Sequence, residues 1–249
     1  MDISAFMARI GYRGSLEPTA ENLTRILRAH LESVPFENLS CYRNPRELSL
    51  KLEDLYDKVV VRRRGGICFE LNGLFLWLLG ALGYTRYAVA VRVVMPQPPS
   101  PISHQGNVVV VDGVKYFCDV GFGGPGPKGL VNLETAEVQV IDGASFRVER
   151  EGLQFTISRL HGDQWIPTLI FADVPFEPAD FPVLLYFFSA NPKSYFVANR
   201  IVNLCLPDGS AALTNDRLTI RRNGTVEEKV LGTEAEITQA LQEVFGLYL

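Results

Sequence analysis

The sequence predicts an α+β fold in which helices come first, an antiparallel sheet or barrel follows, and a small mixed α/β part comes last. Apolar residues recur at helical spacing early in the chain and at strand spacing beyond residue 87. The dipeptide Asp112-Gly113 between two strand-like segments is typical of a tight hairpin. With 249 residues and 47% hydrophobic content, the chain is long enough to divide into two or three structural parts.

Three segments predict the helices of the first part. Thr19 can cap an amphipathic helix that Pro35 stops. A second helix is expected near 51–60. The third follows Arg64-Gly65-Gly66-Ile67-Cys68 and carries leucine and phenylalanine at helical spacing until Gly83 ends it.

Strands are predicted after this helix because β-branched and aromatic residues become frequent and turn residues separate them. The expected strands occupy 87–95, 106–111, 114–120, 137–141, 146–149, 153–160 and 165–171. The segment 172–182 is rich in proline and acidic residues, so a domain junction is expected there. Beyond it we expect a strand near 200–206, a hairpin about Asn223-Gly224 and a final helix at 234–245.

Composition excludes some classes of protein. The formal charge is −4, whereas binding to a phosphate backbone needs a strong basic excess. No apolar stretch reaches the roughly 20 residues of a membrane-spanning helix, and the N-terminus does not resemble a secretory signal. We therefore expect a cytoplasmic protein with no nucleic-acid or membrane partner. The cysteines show no disulfide-like spacing, which agrees with a reducing compartment; they are Cys41, Cys68, Cys118 and Cys205.

Cys68 stands at the predicted start of the third helix. Backbone amides at a helix N-terminus stabilise a nearby negative charge, so they favour a thiolate and can hold an oxyanion. The three arginines that precede the glycines, Arg62, Arg63 and Arg64, add positive potential. The alternative is a buried core cysteine beside a solvated basic segment, since free cysteine is among the most buried residues.

The predicted hairpin brings a histidine close to a carboxylate. If Asp112-Gly113 forms a two-residue turn, Gly106 lies opposite Asp119. His104 is two residues before Gly106, so its side chain shares a face with Asp119 at diagonal spacing. An aspartate in this position fixes the tautomer of the histidine and stabilises the imidazolium. The alternative is a structural histidine with satisfied hydrogen bonds.

The other histidines are expected to be structural. His30 lies on the apolar face of the first predicted helix, and His161 lies in a turn. Neither has a neighbouring ligand at zinc spacing, so no metal site is predicted.

Four ordered motifs run through the chain. One is Arg64-Gly65-Gly66-Ile67-Cys68-Phe69-Glu70-Leu71-Asn72, and a second is Asp119-Val120-Gly121-Phe122-Gly123. A third is Val34-Pro35-Phe36-Glu37-Asn38-Leu39, and the fourth is His104 before the hairpin. Together they resemble the arylamine N-acetyltransferase family, and the match continues through Asp208-Gly209 and Leu213-Thr214 over nearly the whole chain.

The resemblance implies a helical bundle at 1–84, an antiparallel β-barrel at 85–180 and an α/β lid at 181–249, around a cysteine-protease-like Cys-His-Asp core. It makes Cys68 the acetylated nucleophile, His104 the base and acid, and Asp119 the orienting carboxylate. The implied reaction is ping-pong acetyl transfer from acetyl-CoA to an aromatic amine or hydrazine, as in xenobiotic metabolism. O-acetylation of N-hydroxyarylamines is a further activity that the resemblance implies.

The resemblance also implies binding residues. Phe36, Ser103 and Phe122 match positions of the acceptor pocket. Contacts with coenzyme A are implied for Ser100, Gly123, Gly124, Gly126, Ser194 and Thr214. The loop from Gly123 to Pro127 is alternatively a simple turn that leaves a strand. Many family members carry an asparagine and a serine–threonine pair where this chain has Leu185 and Ser189-Ala190, so hydrogen bonds there are lost or rearranged.

Two other functions fit parts of the same pattern. An amide synthase that closes a macrolactam from a larger acyl chain uses the same three residues with a different pocket. A non-catalytic binding protein with the same fold is the second alternative. Binding alone, however, gives no reason for a cysteine, a histidine and an aspartate in register. The motifs do not match cysteine protease signatures.

Overall fold

The computed structural model describes residues 1–94, 101–124 and 126–249. In these residues, N-terminal helices pack against an eight-stranded antiparallel sheet, and a second sheet of five strands follows with further helices. The predicted α+β class is confirmed. The boundaries at 84/85 and 180/181 remain predictions.

The N-terminal part holds four helices and one short strand. They are α1 (Ile3–Arg9), α2 (Ala20–Ser33), β1 (Phe36–Glu37), α3 (Leu52–Tyr56) and α4 (Cys68–Ala81). The predicted cap of α2 is confirmed, because the Thr19 hydroxyl accepts a hydrogen bond from the Asn22 amide at 3.2 Å. A π-helical turn, Asp57–Val61, continues α3 and buries Lys58.

Helix α4 is apolar on nearly every side because it lies in the middle of the largest core cluster. Its first turn is fixed by a buried carboxylate. Glu70 accepts the Ile67 amide through Oε2 at 3.0 Å and the Lys58 ammonium through Oε1 at 2.7 Å. The helix that carries Cys68 is therefore held at its N-terminus by an ion pair as well as by packing.

Eight strands form a nearly closed barrel. They are β2 (Thr85–Val93), β3 (Ile102–Val111), β4 (Val114–Cys118), β5 (Val131–Asn132), β6 (Gln139–Ile141), β7 (Ala144–Glu151), β8 (Gln154–His161) and β9 (Gln164–Ala172). Their order is β5-β4-β3-β2-β9-β8-β7-β6. The two edge strands are joined by a side chain, because the Gln139 amide accepts from Asn132 N and donates to Asn132 O at 2.8 and 2.9 Å.

The predicted register of the β3–β4 hairpin is confirmed. Val111 pairs with Val114 and Asn107 pairs with Cys118. Asp112 and Gly113 both have positive φ, 51° and 80°, which a two-residue turn of this kind requires.

The C-terminal part packs helices on a second antiparallel sheet. Its elements are α5 (Phe181–Ala190), α6 (Tyr195–Ala198), β10 (Ile201–Leu206), β11 (Gly209–Thr214), β12 (Arg217–Arg222), β13 (Thr225–Val230) and α7 (Glu234–Glu243). The strand order is β1-β10-β11-β12-β13, so the short strand of the N-terminal part forms one edge of this sheet. Within the described ranges, no helix combines the length and hydropathy needed to cross a bilayer.

Candidate active site

Cys68 is the first residue of α4 and is 3% exposed. The two glycines before it allow neighbouring groups to lie very close to the backbone. A Cβ on Gly65 would lie 1.9 Å from the Pro35 carbonyl oxygen, and one on Gly66 would lie 2.9 Å from Glu70 Oε2. Neither glycine has positive φ, so these contacts, and not a left-handed turn, explain the Gly-Gly pair.

The His104 and Asp119 side chains meet as the hairpin register predicts. His104 Nε2 lies 2.6 Å from Asp119 Oδ2, and both side chains are buried. Asp119 follows the last residue of β4, and its other oxygen, Oδ1, accepts the Gly121 amide at 2.8 Å. Both carboxylate oxygens are thus occupied, which fixes the imidazole ring in place.

The Cys68 side chain is the second partner of His104. Burial acts to lower the pKa of His104, but the charges of Asp119 and Cys68 and hydrogen bonds to both side chains raise it from 6.5 to about 10. An imidazolium at neutral pH therefore lies beside the thiol. The Cys68 Sγ also lies 3.9 Å from the Ser103 carbonyl oxygen, which places Ser103 next to the sulfur. Such a pair can act as nucleophile and proton carrier.

Asn72 is a site residue that the sequence analysis did not single out. Its Nδ2 donates to Asp119 Oδ1 at 2.8 Å and to the Gln105 carbonyl at 2.6 Å. Its Oδ1 accepts the Val120 amide at 3.0 Å. Asn72 therefore locks α4 onto the hairpin that carries His104 and Asp119. The available signal was helical spacing, because Asn72 lies four residues after Cys68 on the same helix face.

The arginines before Cys68 contribute less positive charge than the sequence suggested. Arg64 donates from Nε and Nη2 to Glu37 Oε1 at 3.0 and 2.8 Å, and Arg62 pairs with Asp57 at 2.7 Å. These carboxylates neutralise both cations. The expectation of added positive potential from the run is therefore wrong for these two residues, and the charge beside the thiol is that of His104.

A cleft of about 660 Å³ is lined by Val120 and Phe122, which closely follow Asp119, whereas Cys68, His104 and Asp119 themselves do not line it. Phe36, Phe122, Gly123, Gly124 and Gly126 line it, so five of the predicted binding residues lie together. The glycines make room for the two rings: a Cβ on Gly123 would lie 2.6 Å from the Phe36 ring, and one on Gly126 would lie 2.3 Å from Phe122. The Phe122 ring packs edge-on against His104, with centroids 5.7 Å apart, and so connects the cleft to the pair.

Basic side chains line the same cleft. Lys128 Nζ donates to the Gly209 carbonyl at 2.7 Å and lies 3.2 Å from Asp142. The sequence did not predict this group, because β8, β12 and the loop after β4 contribute its members separately; they are the cations Lys128, Arg159 and Arg221 and the imidazole of His161. Among the described residues of the lining, Asp142 is the acidic one. The cleft therefore suits an anionic group.

Two of the predicted coenzyme A residues that the structure describes, Ser194 and Thr214, do not line the cleft. Ser194 caps α6 and donates from Oγ to the Phe188 carbonyl at 2.7 Å. Thr214 ends β11 and pairs with Ile201 in the C-terminal sheet. Ser100 lies outside the described residues. Their roles remain predictions.

The remaining cysteines are free thiols in other surroundings. Burial, the largest cause, raises the pKa of Cys41 to about 11, and burial also raises that of Cys118. The third, Cys205, has a raised pKa for the same reason. A high pKa disfavours the nucleophilic thiolate. His30 is buried between the rings of Phe6 and Phe75, which agrees with the predicted structural role.

The chain is similar to known proteins over almost its full length. The sequence model of an N-acetyltransferase family matches residues 19–249. The arylamine N-acetyltransferase of Mycobacterium tuberculosis strain H37Rv is 33% identical over 253 residues, which cover 99% of this chain and 89% of that protein. The arylamine N-acetyltransferase / N-hydroxyarylamine O-acetyltransferase of Salmonella typhimurium is 32% identical over 98% of this chain and 88% of its own.

Solved structures agree with this similarity. The arylamine N-acetyltransferase structure from M. tuberculosis superposes with a TM-score of 0.91 at 34% identity and covers 98% of this chain and 93% of that one. The Mycobacterium marinum enzyme in complex with CoA has a TM-score of 0.91 at 32% identity, with 98% and 92% covered. The chain therefore belongs to the arylamine N-acetyltransferase family of acyltransferase enzymes.

Proposed function

We propose that the protein acetylates aromatic amines and hydrazines with acetyl-CoA, through an acetyl group carried on Cys68. The observation that carries this proposal is the buried His104–Asp119 contact of 2.6 Å beside the thiol at the start of α4. A relative solved with CoA supports coenzyme A as the carrier of the acetyl group. The proposed chemistry needs no metal.

In the first half-reaction the Cys68 thiolate attacks the thioester carbonyl carbon of acetyl-CoA. Negative charge develops on the carbonyl oxygen, and the backbone amides of Cys68 and Phe69 at the N-terminus of α4 stabilise it. The bond from carbon to the CoA sulfur breaks, and His104 gives its proton to that sulfur. The products are free coenzyme A, acetyl-Cys68 and a neutral imidazole.

In the second half-reaction the amine nitrogen attacks the acetyl carbon on Cys68. The neutral His104 takes the proton from this nitrogen as the bond from carbon to Sγ breaks. The amide product leaves, and the thiolate and imidazolium are restored. Asp119 stabilises the imidazolium in both halves because it accepts from Nε2, which leaves Nδ1 for the reacting atoms.

The cleft supports both proposed substrates. Its cations, Lys128, Arg159 and Arg221, favour the phosphate groups of coenzyme A. The rings of Phe36 and Phe122 offer an apolar surface for an aromatic acceptor next to His104.

The relative named for both N- and O-acetyl transfer supports N-hydroxyarylamines as further acceptors. The comparisons do not favour a macrolactam-forming amide synthase. The four free cysteines support a cytoplasmic location.

Mass spectrometry after incubation with acetyl-CoA, without an acceptor, tests the proposal. We expect one added acetyl group, located on the Cys68 peptide, and its release when an arylamine is added. Cys68→Ala should remain unlabelled, whereas Cys205→Ala, which removes a half-buried thiol elsewhere, should label normally. Label on Cys41, Cys118 or Cys205, or label that persists in Cys68→Ala, would contradict the proposal.

A further inference from the structure

A second pocket, of about 200 Å³, lies on another face of the nucleophile helix. Its walls are formed by α3 and the residue Leu50 before it, by α4, by strands β2 and β3, and by the start of α5 with Pro178 before it. The lining residues are mostly apolar: Leu50, Leu52, Leu55, Phe69, Gly73, Leu76, Trp77, Arg86, Ala88, Gln105, Pro178 and Phe181. None of them lines the cleft beside His104.

This pocket shares its walls with the active site. Phe69 and Gly73 follow Cys68 and Asn72 along α4, so each lies about 100° around the helix from its neighbour. Gln105 follows His104 along β3, so its side chain points to the opposite face of the strand. The pocket and the active site are separated by single layers of backbone.

Gln105 brings an unpaired polar group into this apolar space. The residue is 3% exposed and lines the pocket. Its backbone carbonyl accepts from Asn72 at 2.6 Å, and its side-chain amide makes no hydrogen bond to another described residue. The amide atoms are not among the fully buried unpaired atoms, so they keep some contact with solvent. The amide is therefore free to pair with a hydrogen-bonding group of a ligand, in exchange for its contact with water.

Gly73 keeps the space open. Glycine in the middle of a helix costs about 1 kcal/mol relative to alanine. Close packing does not require it here, because a Cβ on Gly73 would meet only Leu55 Cδ1, at an ordinary 3.8 Å. At Gly121, by contrast, close packing does require glycine, since an added Cβ would lie 2.8 Å from Cys68 Cα. Any larger side chain at position 73 would extend into the pocket.

We infer that this pocket is a second small-molecule site, which takes a planar aromatic molecule with one hydroxyl group. The rings of Phe69, Trp77 and Phe181 supply apolar walls, and the Gln105 amide, which both donates and accepts, pairs with the hydroxyl. An engineered apolar cavity of about 150 Å³ in another protein holds benzene, so this volume suits a substituted ring. The exposed Arg86, the other polar residue of the wall, already donates from Nε to the Leu76 carbonyl at 3.1 Å.

Fluorine NMR with 4-(trifluoromethyl)phenol tests the inference on the unmodified protein. We expect a saturable shift of the fluorine signal and binding about fivefold weaker for trifluoromethylbenzene, which lacks the hydroxyl. Gly73→Leu should fill the pocket and weaken phenol binding at least tenfold. Ala144→Leu, which places the same side chain in the cleft, should leave binding unchanged.

Gln105→Leu provides a second measurement that does not depend on the Gly73 variant folding well. This variant should bind both probes with equal affinity, because the amide that distinguishes them is gone. Binding lost in Ala144→Leu and kept in a folded Gly73→Leu would assign the probe to the cleft and overturn the inference. A preference for the hydroxyl that survives in Gln105→Leu would also overturn it. Neither result depends on acetyl transfer, so the proposed function is tested separately.

Discussion

Asp119→Asn exchanges one oxygen for an NH2 group at the centre of the proposed site. Oδ1 of Asp119 accepts from the Asn72 amide and from the Gly121 backbone, so the oxygen of an asparagine keeps that position. The new NH2 group then faces His104 Nε2, which lies 2.6 Å from the present Oδ2. Because the NH2 group donates, Nε2 must accept, and the single ring proton moves to Nδ1. An imidazole in that tautomer cannot take a proton at Nδ1.

The direction of the effect of Asp119→Asn on acetyl transfer follows from the His104 pKa, and its size is taken from a comparable triad. Burial lowers this pKa, and the charge of Asp119 is the first of the interactions that raise it to about 10. Without that charge and its hydrogen bond, the pKa of His104 falls, because burial still lowers it and only the interactions with Cys68 still raise it. The imidazolium is then less stable at neutral pH. In another protein with a Ser-His-Asp triad the same substitution lowers kcat about 10⁴-fold, and we expect a loss of about 10³–10⁴-fold in acetyl transfer here.

Two measurements check this prediction. Acetyl transfer gives the loss of rate, and the rate of thiol alkylation against pH reports the imidazolium. The His104 imidazolium, with a pKa of about 10, should sustain rapid alkylation of the wild type at neutral pH; Asp119→Asn should react more slowly there, because the pKa of His104 falls. Asp173→Asn is the matched control, because Asp173 is also a paired carboxylate, bound to Lys115 and Tyr87 on the barrel. A folded Asp119→Asn protein that keeps transfer within tenfold of wild type would refute the reasoning.

Two further predictions concern stability. Glu70→Ala removes the partner of the buried Lys58 and the cap of the Ile67 amide, so the free energy of unfolding in urea should fall by about 3–5 kcal/mol; a fall below 1 kcal/mol would contradict the role of this pair. His30 has a pKa lowered from 6.5 to about 3, first by burial and then by the charge of Arg9, and neither ring nitrogen has a hydrogen bond. Between these pH values the unfolded chain binds a proton that the folded protein does not, so His30 costs stability as pH falls through 6.5, by up to about 1.4 kcal/mol per unit. Urea unfolding at pH 7 and pH 5 should show this loss in the wild type and a smaller loss in His30→Phe; equal losses in the two proteins would exclude His30 as the cause.

The hairpin shows which part of the site the sequence determines locally. A two-residue turn fixes the register of both strands, and the register alone brings His104 and Asp119 together. Asn72 could not be assigned in this way, because its partners on β3 and after β4 are set by how α4 docks on the barrel. The charge partners of Arg64 and Lys58 were missed for the same reason.

Helix α5 shows a different limit. Its residues, Phe181–Ala190, are almost all apolar, so they show no helical period that distinguishes one face. Exposure is nevertheless uneven, since Leu185 is buried while Tyr186 and Phe187 lie in solvent. The packing of the C-terminal part decides which side of α5 faces inward, and the sequence of the helix alone does not predict it.

Strand β1 pairs with β10, a strand that the ribosome synthesises much later. Phe36, a wall of the cleft, pairs with Asn203 of β10, and Glu37 pairs with Val202. A ribosome adds about 5–20 residues per second, so Phe36 waits on the order of ten seconds for its partner to emerge. During that interval the core cluster around α4 still lacks Phe181, Leu185 and Ile201, which pack into it in the finished protein. The N-terminal part of the nascent chain therefore exposes apolar surface, and is prone to aggregation, until the C-terminal part has been synthesised.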